Sequence, residues 1–252
     1  MNSLTTIVIV IVAVAICLVL IYLFGTSKNS GKSTGKSKNR NVIIRDATKK
    51  LAQNPHHVPA LNALSDLYYR EHLWDKAFPL FDLMLNLAPS NKDIDPFQAA
   101  LRQGICALKL KKPEDALRGL ASAVKLNKES FEANYYLALA YYQGGEYEKA
   151  VPYLKRSLIY NQDANNVHEY LGLSLYNLKQ YRDSLPYLKR ALTDNPENKA
   201  VLFGMADSMQ QTGFGDKALK VFMHLRPDPE FGARSCLSAG IMHMNAGMLD
   251  KA

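Results

Sequence analysis

The sequence predicts an all-α protein, a solenoid of antiparallel helix pairs behind one N-terminal transmembrane helix, and three observations predict it. From about residue 58 to residue 252 a pattern recurs: Ala77, Ala116, Ala150, Ser184, Ala218 and Ala252 each follow, twelve positions later, a small residue, namely Ser65, Gly104, Ala138, Gly172, Ala206 and Gly240. Successive markers stand 39, 34, 34, 34 and 34 residues apart. A period of that length belongs to stacked units, none of which buries its apolar face alone. Second, the best-matched copies, "YLALAYYQGGEYEKAVPYLKRSL" (136–158) and "YLGLSLYNLKQYRDSLPYLKRAL" (170–192), place their leucines at helical spacing. Third, residues 4–24, "LTTIVIVIVAVAICLVLIYLF", opening on Leu4 and closing on Phe24, hold no charge over 21 positions.

In chain order, residues 1–25 are the anchor. At about 1.5 Å per residue the apolar run spans roughly 30 Å, the thickness of a bilayer core. Its 15 Leu, Ile, Val and Phe residues sum to an upper bound of about −4 to −9 kcal/mol for insertion. A cleaved secretory signal is the competing reading, but it needs a basic start, a shorter run and a small-x-small exit, none of which "MNSLTT" or "YLFGTSK" supplies. Residues 26–40 read as a basic flexible linker. Lys28, Lys32, Lys36, Lys38 and Arg40 follow the anchor and no basic side chain precedes it, so the following domain is expected in the cytoplasm. Residues 41–57 read as a capping helix ending at Pro55. The array of five repeats and a truncated sixth occupies residues 58–252, and a last unit cut at Ala252 leaves Ile241, Met242 and Met244 without a partner helix. The chain is therefore expected to be a fragment.

Each second helix is expected to open near its marker, because "GGEYEKA" and "TGFGDKA" supply glycine and a charged turn just before it. Pro79, Pro152 and Pro186 follow their markers by two residues, and are expected in the first turn, where the missing amide proton has no helical partner to lose. Pro89 and Pro196 are expected where second helices stop. The junction "APSNKDIDP" (88–96) adds five residues to the first period, as a surface insertion or as a splay between two units.

At these residues the chain resembles the tetratricopeptide repeat (TPR) family, whose signature places a large residue, Leu, Gly/Ala, Tyr, Ala, Phe/Tyr, Ala and Pro at set offsets over 34 positions. The resemblance implies a right-handed superhelix with a concave face lined by the second, fifth, ninth and twelfth positions of each first helix. Those positions hold Pro59, Asn62, Asp66 and Tyr69; Gln98, Leu101, Ile105 and Leu108; Glu132, Tyr135, Leu139 and Tyr142; Asn166, Glu169, Leu173 and Tyr176; and Ala200, Phe203, Asp207 and Gln210. Ile105, Leu139 and Leu173 make the ninth position apolar, beside Tyr at three of the first four twelfth positions. Such a strip with hydroxyl tips suits an extended peptide or a helix, unless these residues simply pack between helices. Asn62, Asp66, Tyr69, Arg102, Ile105, Tyr135, Leu139, Tyr142, Glu169 and Tyr176 are the candidate partner-binding residues. The carboxylate clamp of chaperone-binding members is broken, since its places read Asn62, Asp66, Arg102, Glu132 and Tyr136.

Several function classes fall away. The net charge is +8, but residues 1–45 hold six basic groups and no acid, leaving 25 basic against 23 acidic groups in the rest. No face-wide basic excess is left for nucleic acid. Cys17 lies in the anchor, Cys106 and Cys236 fall in different repeats, and the six His lack ligand spacing, so neither disulfide, metal site nor cofactor is expected. "GKSTGKS" (31–37) imitates a phosphate-binding loop, but its glycines are one residue too close and no strand precedes it. No catalytic constellation is visible, and no small-molecule substrate is expected. The expected function is a membrane-anchored scaffold, an arrangement similar to the lipopolysaccharide assembly protein B type of bacterial inner-membrane proteins without its rubredoxin-like domain. An organelle import receptor and the substrate-selecting part of a larger enzyme are the alternatives.

Overall fold

The computed structural model describes residues 30–193 and 195–245, and among them are twelve α-helices, one 3-10 turn and no strand. The apolar run of residues 4–24 lies outside the described residues, as does Ala252. No helix among those described is long and apolar enough to cross a membrane. The chain divides into two compact units, residues 1–72 and 73–252. The boundary falls at the turn after the first helix of the first repeat.

In the first unit, α1 (Ser30–Gln53) packs on α2 (Val58–Arg70). α1 runs from Ser30 to Gln53 and not over 41–57, so residues 30–40, read as flexible linker, are helical, and "GKSTGKS" lies inside the helix. Ala47 of α1 and Val58, Ala60 and Leu61 of α2 are buried. Arg40 Nε donates to both carboxylate oxygens of Glu71, at 2.8 and 2.9 Å. His57 caps α2, its Nδ1 accepting from the Ala60 amide, and Pro59 stands in the first turn, where its missing N–H has no helical partner to lose.

The second unit holds α3 (Trp74–Leu87), a 3-10 turn (Ala88–Ser90), α4 (Pro96–Lys109), α5 (Pro113–Leu126), α6 (Phe131–Gln143), α7 (Tyr147–Tyr160), α8 (Asn165–Asn177), α9 (Tyr181–Ala191), α10 (Lys199–Gln211), α11 (Gly215–Leu225) and α12 (Gly232–Asn245). Each helix packs on the next, and the first helices also touch across repeats, α4 with α6, α6 with α8 and α8 with α10. The junction at 88–96 does not splay the units. α3 still packs on α4, Ile94 is buried, and Asp95 caps α4 by accepting from the Phe97 amide.

The markers are buried contact points. Ala77, Ala116, Ala150, Ser184 and Ala218 are fully covered, and four residues after each stands a covered large side chain, Phe81, Leu120, Leu154, Leu188 or Phe222. Leu120 and Leu188 press on glycines of the preceding helix, since a Cβ at Gly104 would lie 2.6 Å from Leu120 Cγ, and one at Gly172 would lie 2.8 Å from Leu188 Cγ. Serine fits the marker column because Ser184 Oγ donates to the Tyr181 carbonyl at 2.8 Å and meets Ser208 Oγ at 2.9 Å.

The prolines require a correction. Second helices begin three residues before their markers, at Trp74, Tyr147 and Tyr181, which puts Pro79, Pro152 and Pro186 at the sixth helical residue and not in the first turn. Each leaves the carbonyl four residues back, of Asp75, Glu148 or Arg182, without its helical donor. All six residues are exposed, so water completes the pairing. Pro89 and Pro196 follow α3 and α9 as expected.

Two turn devices repeat with the helices. Five residues before each marker, His72, Lys111, Gly145, Lys179 and Gly213 all have positive φ, from 56° to 90°. At α6 the motif is complete: the Glu146 amide donates to the Tyr141 carbonyl at 2.9 Å and the Gly145 amide to that of Tyr142 at 3.0 Å, satisfying two terminal carbonyls. Between repeats, Asn91, Asn127 and Asn161 each accept, through Oδ1, from the amide two residues on. On α12, Met242 packs into the cluster of Phe203, Phe222 and Leu225, while Ile241 and Met244 are exposed.

Candidate functional site

The site lies in the second unit, where α6 and α8 bring their tyrosines together. Ser130 starts α6 by accepting from the Ala133 amide, which sets Tyr135 and Tyr142 two turns apart on one face. Because α8 lies against α6, Tyr170 reaches both: its ring centroid is 6.2 Å from that of Tyr135 at 52°, and 5.0 Å from that of Tyr142 at 66°. Phe131 stacks on Tyr135 at 6.0 Å, and Tyr147 meets Tyr142 edge-on at 5.5 Å. These rings are all half-buried. Edge-to-face and offset geometry is the arrangement that aromatic quadrupoles favour.

Polar groups fasten the array. Burial pushes the hydroxyls of Tyr135 and Tyr142 up to about 12, with neighbouring tyrosines and the Glu169 carboxylate adding to the rise, and Asn166 bonds to the Tyr135 hydroxyl. Further along α8, Tyr176 donates to Asp207 Oδ2 on α10 at 2.9 Å. Its hydroxyl is also pushed up, first by burial and then by Asp207. Arg234 of α12 lies 4.3 Å over the Phe203 ring and partly offsets that rise. Tyr135, Tyr142 and Glu169, all expected to bind a partner, therefore meet around Tyr170, whereas Tyr176 pairs with Asp207 further along α8.

The rest of the expected strip is placed differently. Ile105, Leu139 and Leu173 are 4%, 7% and 7% exposed, so the ninth-position column forms a floor and not a greasy surface. Leu173 packs with Leu188, Ala191 and Val201, with Tyr142 against them. Close stacking of α4, α6, α8 and α10 explains this, because a residue at the middle of each first helix meets the next one. Arg102 is half-buried on α4, where its charge opposes the rise of the Cys106 thiol, which burial pushes up to about 12. A thiol so placed stays protonated and inert. Asn62, Asp66 and Tyr69 are half-buried on α2 and belong to the first unit.

Tyr170 was missed, although it joins the two tyrosines of α6. Its signal was the sixth position of the first helix, where Tyr136 and Tyr170 recur 34 residues apart. Near the turns, a cavity of about 520 Å³ is lined by Leu108, Lys109, Lys111, Lys112, Pro113, Ala140, Gln143 and Gly144. No cluster of His, Cys, Asp or Glu suited to a metal occurs among the described residues.

An all-α stack of helix pairs with an aromatic face along its first helices defines a helical-repeat protein. The tetratricopeptide repeat family model matches residues 95–166 and 171–222, which supports TPR assignment of those segments. Among curated proteins none matches. Among solved structures, YrrB, described as a TPR protein with an unusual peptide-binding site, is 17% identical with a TM-score of 0.62, over 75% of this chain and 96% of that one. A MamA structure is 23% identical with a TM-score of 0.58, over 68% of this chain and 90% of that one. Another is 19% identical with a TM-score of 0.56, over 74% and 92%. These likenesses establish the fold.

Proposed function

We propose that this protein is a membrane-anchored adaptor, which holds a protein or peptide partner on the tyrosine face of α6 and α8. The carrying observation is that Tyr135, Tyr142 and Tyr170, from two adjacent first helices, form one half-buried surface of inclined rings. Tyrosine offers a large, rigid contact with a polar tip, a combination enriched where proteins meet. A peptide-binding site in a neighbour of the same fold, YrrB, supports the reading. The apolar run at residues 4–24 supplies the anchor, and the basic residues after it set the repeats on the cytoplasmic side.

One experiment addresses both parts. The full chain, and a variant carrying Tyr142→Ala with Tyr170→Ala, are expressed in cells, treated with a crosslinker and fractionated. Both proteins are expected in the membrane pellet, with a partner adduct on the unchanged chain alone. Recovery of the unchanged chain in the soluble fraction defeats the anchor. An equal adduct on a helical, folded variant defeats the site.

A further inference from the structure

Resting on the docking reading above, we infer that the tyrosine face takes a basic segment of a separate partner protein, seating one Lys or Arg side chain against Tyr135, Tyr142 and Tyr170 with its charge toward Glu169. Three observations lead there. The rings do not lie parallel: Tyr170 is inclined by 52° to Tyr135 and by 66° to Tyr142, so the three present ring faces and edges in different directions. Aromatic faces carry negative potential, and a cation close to a ring is attracted to it, more strongly when desolvated. Half-burial of all three rings supplies that desolvation.

The second observation is the placement of Glu169. It stands on α8 beside Tyr170, is half-buried, and its carboxylate acts on the hydroxyls of Tyr135, Tyr142 and Tyr170 alike. Among the described residues Glu169 makes no ion pair, unlike Glu71, Asp115, Asp163 and Glu197. A carboxylate partly removed from water and left without a cation favours a ligand that brings one. The third is that among the described residues no cation acts on these three hydroxyls: the lowering influence on the Tyr135 hydroxyl is the neutral Asn166 side chain. Acidic or phosphorylated partners would meet repulsion here. Lysine and arginine segments meet rings and a carboxylate together.

The test is selection of a phage-displayed library of short random peptides on the full chain in detergent, followed by affinity measurement on variants. Selected peptides are expected to carry Lys or Arg at one shared position. They should bind Glu169→Gln roughly tenfold more weakly and lose detectable binding to Tyr142→Ala with Tyr170→Ala. Circular dichroism identical to that of the unchanged chain shows that each variant is folded. Peptides that need the two tyrosines but lack a shared basic residue, or that ignore Glu169→Gln, overturn the cation inference while leaving the docking surface standing. A library yielding no binder, or binders indifferent to the loss of both tyrosines, overturns the docking reading as well.

Discussion

At residue 172 a Cβ would stand 2.8 Å from Leu188 Cγ and 2.9 Å from the Leu188 backbone nitrogen. The Leu188 backbone nitrogen cannot step aside as a side-chain end can, so the contact between α8 and α9 would have to open. Gly172→Ala is expected to destabilise the protein by about 1–3 kcal/mol, the usual cost of overpacking, read as a lower urea midpoint at unchanged slope. Gly104 faces Leu120 in the same way, while Ala138 and Ala206 hold the equivalent places in other repeats. Small residues in this column were legible from the sequence. Which of them tolerate a methyl group was not, because tenths of an ångström in helix separation decide it.

Among elements, the turns between paired helices carry the clearest local requirement. Gly145 and Gly213 meet the need for positive φ freely, whereas Lys111 and Lys179 adopt φ of 56° and 58° against their own preference. A Cβ on a left-handed residue costs about 1–2 kcal/mol, partly offset by the roughly 0.5–1 kcal/mol of backbone entropy that glycine gives up on folding. Gly145→Ala is therefore expected to lower stability by about 1 kcal/mol, and Lys179→Gly to raise it by up to about 1 kcal/mol. Chemical denaturation of the two variants side by side checks the opposite signs. The helices themselves followed from the period, and their partners from the marker columns. Helix starts did not. Second helices begin three residues ahead of the markers, and α1 begins at Ser30 within a stretch whose glycines, serines and lysines read as linker. The Asx turns at Asn91, Asn127 and Asn161 came from the structure, where each side chain closes a turn two residues on.

For the molecule as a whole, the tyrosine surface couples packing to pH. Burial raises the Tyr135 and Tyr142 hydroxyls from the ordinary value of 10.0 to about 12. Between these values the unfolded chain releases protons that the folded chain keeps, so the stability gained is fully present below about pH 10 and is lost as pH rises toward 12. Thermal midpoints are expected to hold steady up to pH 10 and then fall. Tyrosinate absorbance of the folded protein should lag behind that of the denatured chain, and Tyr142→Phe should flatten the fall. Coincidence of the two absorbance curves would contradict the burial.

Sequence alone determined the repeat period, the helical character of the units and the residues that first helices turn toward one face, because a 34-residue period with fixed small and large columns admits one way of burying apolar surface. It argued equally against a basic face for nucleic acid, since residues 46–252 hold nearly equal numbers of opposite charges. Only the tertiary structure decided which of those residues remain at the surface. Stacking of α6 on α8 sinks Leu139 and Leu173 into a floor and brings Tyr170, unremarkable in the sequence, between Tyr135 and Tyr142. Periodicity reports the direction in which a side chain leaves its own helix, whereas accessibility depends on how closely the next helix approaches.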